Sequence, residues 1–185
     1  MTNRLFKALG ITIGCMVGTL AAASSPPRHP IPPITKPYAM DKAGNVAAID
    51  FWVEKGKIDT RRRLMLALDF PQTEKGAVED AIQQQSLPIE VQVFFEEGGH
   101  RVPVPTEDND TILATAYGAA VKADNPMAHL HLYATDGKTS NVLIAGFRAT
   151  HDGHYVAVIR TTQDQPVFKD IKTTLRVDEF YNTGE

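Results

Sequence analysis

The sequence predicts a mainly β protein, an antiparallel β-sandwich of immunoglobulin-like kind with seven or eight strands and one or two short surface helices. Three observations carry that expectation. Apolar residues recur with period two in several short runs, as in Ala47, Ile49, Phe51 and Val53. Glycine-based turn signals separate the runs: Gly98-Gly99, Asp136-Gly137 and Asp152-Gly153. Each run is apolar on one face, and a second sheet is what covers such a face.

The elements follow in chain order. The first strand, after Gly44-Asn45, turns Asp50 and Trp52 away from its apolar face. Leu64, Leu66, Leu68 and Phe70 share a face of the second, which Pro71 ends because proline cannot donate to a ladder. Residues 74–85 read as a surface helix, since Val78, Ala81 and Ile82 make only a narrow apolar stripe. Ile89, Val91, Val93 and Phe95 alternate again, and Arg101 to Pro105 form a proline-flanked edge strand. Residues 111–121 read as a second short helix through Ile112, Leu113, Ala116 and Ala120. Ala128, Leu130, Leu132 and Ala134 share a strand face, and Val142 to Ala149 is a strand of mixed pattern. Tyr155, Ala157 and Ile159 mark the next strand, and Leu175 and Val177 the last.

Composition bounds the class. The 185 residues are 43% hydrophobic, too apolar for a disordered chain and long enough for a core without disulfide or metal. The 19 basic against 22 acidic residues argue against a nucleic-acid binder. One cysteine excludes a disulfide framework and a cysteine-based zinc cluster.

The ends of the domain have their own signals. Residues 1–23 read as a secretory signal: Arg4 and Lys7 are the basic region, Ala8 to Leu20 the apolar stretch, and Ala21-Ala22-Ala23 the cleavage site. The apolar stretch is shorter than the ~20 residues of a membrane span. Periplasmic or secreted delivery follows as the expectation, with 17 basic and 22 acidic residues left after cleavage. The alternative is an outer-membrane lipoprotein acylated at Cys15, but Thr12 is polar where such motifs carry leucine. Residues 24–42 read as a linker, with prolines at 26, 27, 30, 32, 33 and 37 favouring extended polyproline. The sandwich domain is then expected over residues 43–185.

Chemistry-bearing patterns are sparse. The chain has no Gly-x-Ser-x-Gly, no His-Glu-x-x-His and no phosphate-cradling glycine loop, so a non-enzyme with no cofactor is expected. Glu96 and Glu97 are adjacent, and neighbours in a strand point apart. Exposed aromatics beside acids mark recognition surfaces, which makes Trp52, Glu90, Phe94, Glu96 and Glu97 the candidate partner-binding residues. Phe180 and Tyr181 are a further aromatic pair, and a covering helix is the alternative to exposure. The competing reading is a copper or zinc site at Met127, His129 and His131, with His151 and His154 as added ligands. Glu107 to Asp110 lacks the ligand spacing and glycine of a calcium loop and reads as a solvated loop. Arg61-Arg62-Arg63 reads as a solvated basic turn protecting a strand edge.

Between Ala43 and Asp178 the chain resembles an uncharacterised family of exported bacterial proteins, domain-of-unknown-function family 5625. The resemblance rests on residues 44–51 (Gly-Asn-Val-Ala-Ala-Ile-Asp-Phe), 64–70 (Leu-Met-Leu-Ala-Leu-Asp-Phe) and 87–93 (Leu-Pro-Ile-Glu-Val-Gln-Val). It extends to 153–158, Pro166 and the closing Thr-Leu-Arg-Val of 174–177. The resemblance implies a sandwich, export and, in many members, lipidation. Similar small exported sandwiches accompany toxins of contact-dependent systems, type VI secretion among them, as immunity proteins. By that implication the partner is another protein, a secreted effector toxin. Nucleic acid is not a partner, and membrane is one only through a lipidated Cys15.

Overall fold

Period-two burial is clearest in β2 (Val46–Val53), where Ala47, Ile49, Phe51 and Val53 are buried and Asp50 and Trp52 are exposed. The computed structural model describes residues 29–116 and 126–180. The expected signal at 1–23, Cys15, residues 117–121 of the second expected helix, and Tyr181 lie outside the described residues.

Two antiparallel sheets make the sandwich. The six-stranded sheet runs β1 (Ile34–Tyr38), β11 (Thr173–Glu179), β3 (Leu64–Pro71), β9 (Thr139–Phe147), β6 (Thr106–Glu107), with β8 (His131–Thr135) also on β9. The five-stranded sheet runs β2, β10 (Gly153–Thr161), β4 (Pro88–Glu97), β5 (His100–Val104), with β7 (Met127–His129) also on β4. Among the described strands, only β4–β5 and β8–β9 connect as hairpins, and every other consecutive pair lies in opposite sheets.

The shared core is the inner face of both sheets. Phe51, Leu66, Leu68, Ile89, Tyr155, Ala157, Ile159 and Leu175 have essentially no exposed surface. Phe51 lies 5.6 Å from Tyr155 and 6.0 Å from Phe147, ring centre to ring centre. The mixed pattern of β9 has a local cause. A bulge opposite Leu66 and Ala67 adds a residue, so Val142 and Phe147, of opposite parity, reach the same core.

The helices occupy two different places. α1 (Ala77–Gln84), expected on the surface, inserts Val78 and Ile82 into the main core and buries Glu79 as well. α2 (Asn109–Ala116) lies on the outer face of the six-stranded sheet. There Ile112 joins Met65, Ala67, Leu143, Tyr133 and Phe180 in a second, small core. Asp108 caps α2 by accepting from the Thr111 amide at 2.9 Å, so part of the expected solvated acidic loop is a helix cap.

Three sequence expectations are corrected. The linker reading of 24–42 fails from Ile34 onward. β1 pairs with β11 from Ile34↔Val177 to Tyr38↔Thr173, and Tyr38 and Met40 are core residues. β1 is an edge strand, where a proline costs no central ladder bond, and so Pro37 is tolerated. The single strand expected over 128–134 is two. β7 belongs to one sheet and β8 to the other, with buried Leu130 at the crossing. The basic turn at 61–63 is not wholly solvated, because Arg63 pairs with the buried Glu107 carboxylate. The sandwich itself and the presence of two short helices are as expected, although α1 is set into the core. Among the described residues the strand count rises to eleven because β1 comes from the proline-rich lead, β6 is an added two-residue strand, and one expected strand splits.

Candidate functional site

Register places four of the five expected partner-binding residues on one surface. On the outer face of the five-stranded sheet, Trp52 faces His154, which neighbours Glu96, which faces Arg101. The next outward row is Asp50, Val156, Phe94 and Pro103, and the last is Val46, Arg160, Glu90 and Met127. Glu97 has the opposite parity and sits at the exposed tip of the β4–β5 hairpin.

The electrostatics of this face are paired. Arg101 Nε donates to Glu96 at 2.8 Å, and its guanidinium lies 5.7 Å from the centre of the half-buried Phe94 ring. Arg160 lies 3.5 Å from Glu90. Glu90 and Glu96 therefore carry cross-strand counter-charges, a pattern that fixes register more than it builds an acidic patch. Trp52 stays 40% exposed and Val46 53%, both on edge strand β2. The outer face of the six-stranded sheet has α2 over it, with Tyr133 and Phe180 packed together at 5.6 Å. Phe180 is thus a packing residue.

The lead segment guards the β2 edge. Pro30 O accepts from the Trp52 amide at 2.8 Å, and Lys36 Nζ donates to Ala48 O at 2.7 Å. Free strand edges invite foreign pairing, and these contacts occupy part of this one. His29 continues the same path and stacks on His154, rings 3.8 Å apart and 9° from parallel. His154 Nε2 is 3.2 Å from Asp50 Oδ1.

The expected histidine pair does not converge in that way. His129 ends β7 and His131 begins β8, both exposed, with the sheet crossing between them. They line a polar cleft of about 420 Å³ with Asp108 and Asp110, while Met127 faces Glu90 across the β4–β7 ladder of the five-stranded sheet. Among the described residues, neither histidine joins a group of three histidine, cysteine or carboxylate ligands.

A second cleft, of about 380 Å³, opens at one end of the sandwich. Phe95, Val104, Pro105 and Tyr155 line it, with Glu97, Arg148 and His151 also on its wall. Tyr155 Oη donates to His151 O at 2.9 Å and holds the β9–β10 turn, and burial pushes its phenol pKa up. Gly153 backs onto the same aromatic group: a Cβ there would meet Phe95 at 2.8 Å, at a φ of +143°. Gly153→Ala is expected to cost about 1–3 kcal/mol, measured by urea unfolding. An unchanged midpoint would show that Phe95 moves aside freely.

The fold and site together define a two-sheet antiparallel sandwich with one sheet covered outside and an aromatic corner on the other. No family model and no curated protein matches the chain. Among solved structures it is similar to GEBA250068378 from Sulfurospirillum deleyianum, at 10% identity, over 81% of this chain and 98% of that one, with a TM-score of 0.53. At that identity the likeness shows the fold alone. No described helix is long and apolar enough to cross a membrane.

Proposed function

We propose that this protein is a non-enzymatic periplasmic binding module that occludes a secreted effector toxin, in the manner of an immunity protein. The supporting observation is the Trp52 corner, where a half-exposed indole stands on an outer sheet face in the row of His154, Glu96 and Arg101, with Asp50 and Phe94 in the next row and Val46 and Glu90 at the far end of the same face. A tryptophan anchor surrounded by polar residues is the usual make-up of an interface hot spot. Net acidity after signal cleavage favours encounter with a basic partner surface. The mechanism is steric: the sheet face lies over the toxin's site and water is excluded around the indole.

Co-purification with the proteins encoded beside its gene tests this reading. A neighbour-encoded partner is expected to bind at micromolar concentration or better. Trp52→Ala is expected to weaken that complex about thirtyfold, the effect of losing a hot spot of roughly 2 kcal/mol. Its melting temperature should barely change, since the indole is half in water. Binding unaffected by Trp52→Ala removes this face from the proposal, and no neighbour-encoded partner removes the proposal itself.

A further inference from the structure

We propose that His29, Asp50 and His154 bind one divalent transition cation of the zinc–copper class. Each offers a ligand atom, and the three atoms lie within 4.8 Å of one another. They come from separate segments: the N-terminal lead, β2 and β10. Two imidazoles and a carboxylate suit borderline cations; calcium and magnesium prefer all-oxygen sites.

The distances fit a site that closes on its ion. Metal–ligand bonds of about 2.0–2.1 Å put tetrahedral ligands roughly 3.3–3.4 Å apart. His154 Nε2 and Asp50 Oδ1, at 3.2 Å, already have that spacing. His29 does not yet have the angle. Its ring lies flat on His154, and an ion in the plane of one ring is out of the plane of the other. Binding therefore turns the His29 ring out of the stack, which its partly exposed position on the lead permits. Three protein ligands leave a fourth position for water. The ion would join the lead to the outer sheet face beside Trp52, on the strand pair where Trp52 directly faces His154.

That neighbour supplies the readout, because the chain has one tryptophan. The full chain, purified without a histidine tag, is titrated with Zn²⁺ by calorimetry and with Cu²⁺ by fluorescence. One ion per chain is expected, with Cu²⁺ quenching Trp52 and binding more tightly than Zn²⁺. His29→Ala, Asp50→Asn and His154→Ala are each expected to weaken binding by about tenfold or more. His29→Ala leaves the sandwich strands untouched, so its loss cannot be ascribed to misfolding. The double variant His129→Ala, His131→Ala is expected to bind as the parent does. No heat and no quenching at about 100 μM metal, an affinity of order 5 kcal/mol, overturns the proposal. So does binding that survives His29→Ala and His154→Ala but is lost in the 129/131 double variant. The titration needs no protein partner, so it fails or succeeds independently of toxin occlusion.

Discussion

Phe51→Ala is expected to lower stability by about 3–5 kcal/mol, enough to bring a domain of this size close to unfolding. Phe51 has no exposed surface and packs between the rings of Tyr155 on its own sheet and Phe147 on the other. Removing it deletes most of a side chain from the seam where both sheets meet. The remaining rings are held by opposite ladders and cannot both move into the space. Collapse is therefore partial, and the cavity term adds to the lost burial. Thermal unfolding followed by circular dichroism is expected to show a fall of roughly 8–16 °C. Phe51→Leu is expected to cost less than half as much. A loss below about 1 kcal/mol for alanine would mean that the two sheets do not share this contact.

Glu79→Ala is the second large effect, at about 1–3 kcal/mol, and it runs through polar groups. Glu79 is a helix residue that reads as solvent-facing but is 6% exposed. Its Oε1 accepts from the Thr73 amide at 3.1 Å and from Ser140 Oγ at 2.5 Å, and its other oxygen accepts from Thr73 Oγ. Ser140 is fully buried on β9, so deleting the carboxylate leaves a hydroxyl with no replacement in water. The cost is the desolvation of the abandoned donors more than the worth of the bonds themselves. Burial alone would raise the carboxyl pKa, but donation from Ser140 and Thr73 outweighs it and holds the value below the ordinary range. The charged form is thus favoured by folding. Its contribution is full above the unfolded carboxyl pKa, about 4.3, and is lost as pH falls through the lower folded value. Glu79→Gln is expected to flatten the acid limb of stability against pH in that window. An acid limb of equal slope in both proteins would show that Glu79 gains nothing from its donors. Asp59, held down to about 2 by hydrogen bonds from Arg61, belongs to both proteins and cancels in the comparison.

The strands with clean alternation were legible because one physical rule governs them. Ile49, Phe51 and Val53 must face the core wherever the sheets lie. β1 was hidden because six prolines between 26 and 37 outweighed Ile34 and Tyr38, although an edge position neutralises the objection to Pro37. The break at Leu130 was hidden because parity assumes one continuous strand. Crossing between sheets keeps Ala128, Leu130 and Leu132 apolar while separating the histidines beside them. The outward positions of Trp52, Glu90, Phe94 and Glu96 follow from alternation alone. The arginine partners of Glu90, Phe94 and Glu96 follow from register, which no local pattern specifies. His29, Asp50 and His154 are far apart in sequence and meet only because β2 pairs with β10 and the lead returns over both. Glu79 was unreadable for the same reason, since Ser140 is 61 positions away.

The chain passes back and forth between the two layers at all but two of its connections. Neither layer is a contiguous piece of polypeptide, so neither is available as a finished template for the other. Assembly must close many distant loops before it gains the reward for them, which places the folding time in milliseconds to seconds. Once closed, the β4–β5 and β8–β9 hairpins are each tied to other strands of their own layer, and the remaining described strands are held by segments that come from the opposite layer.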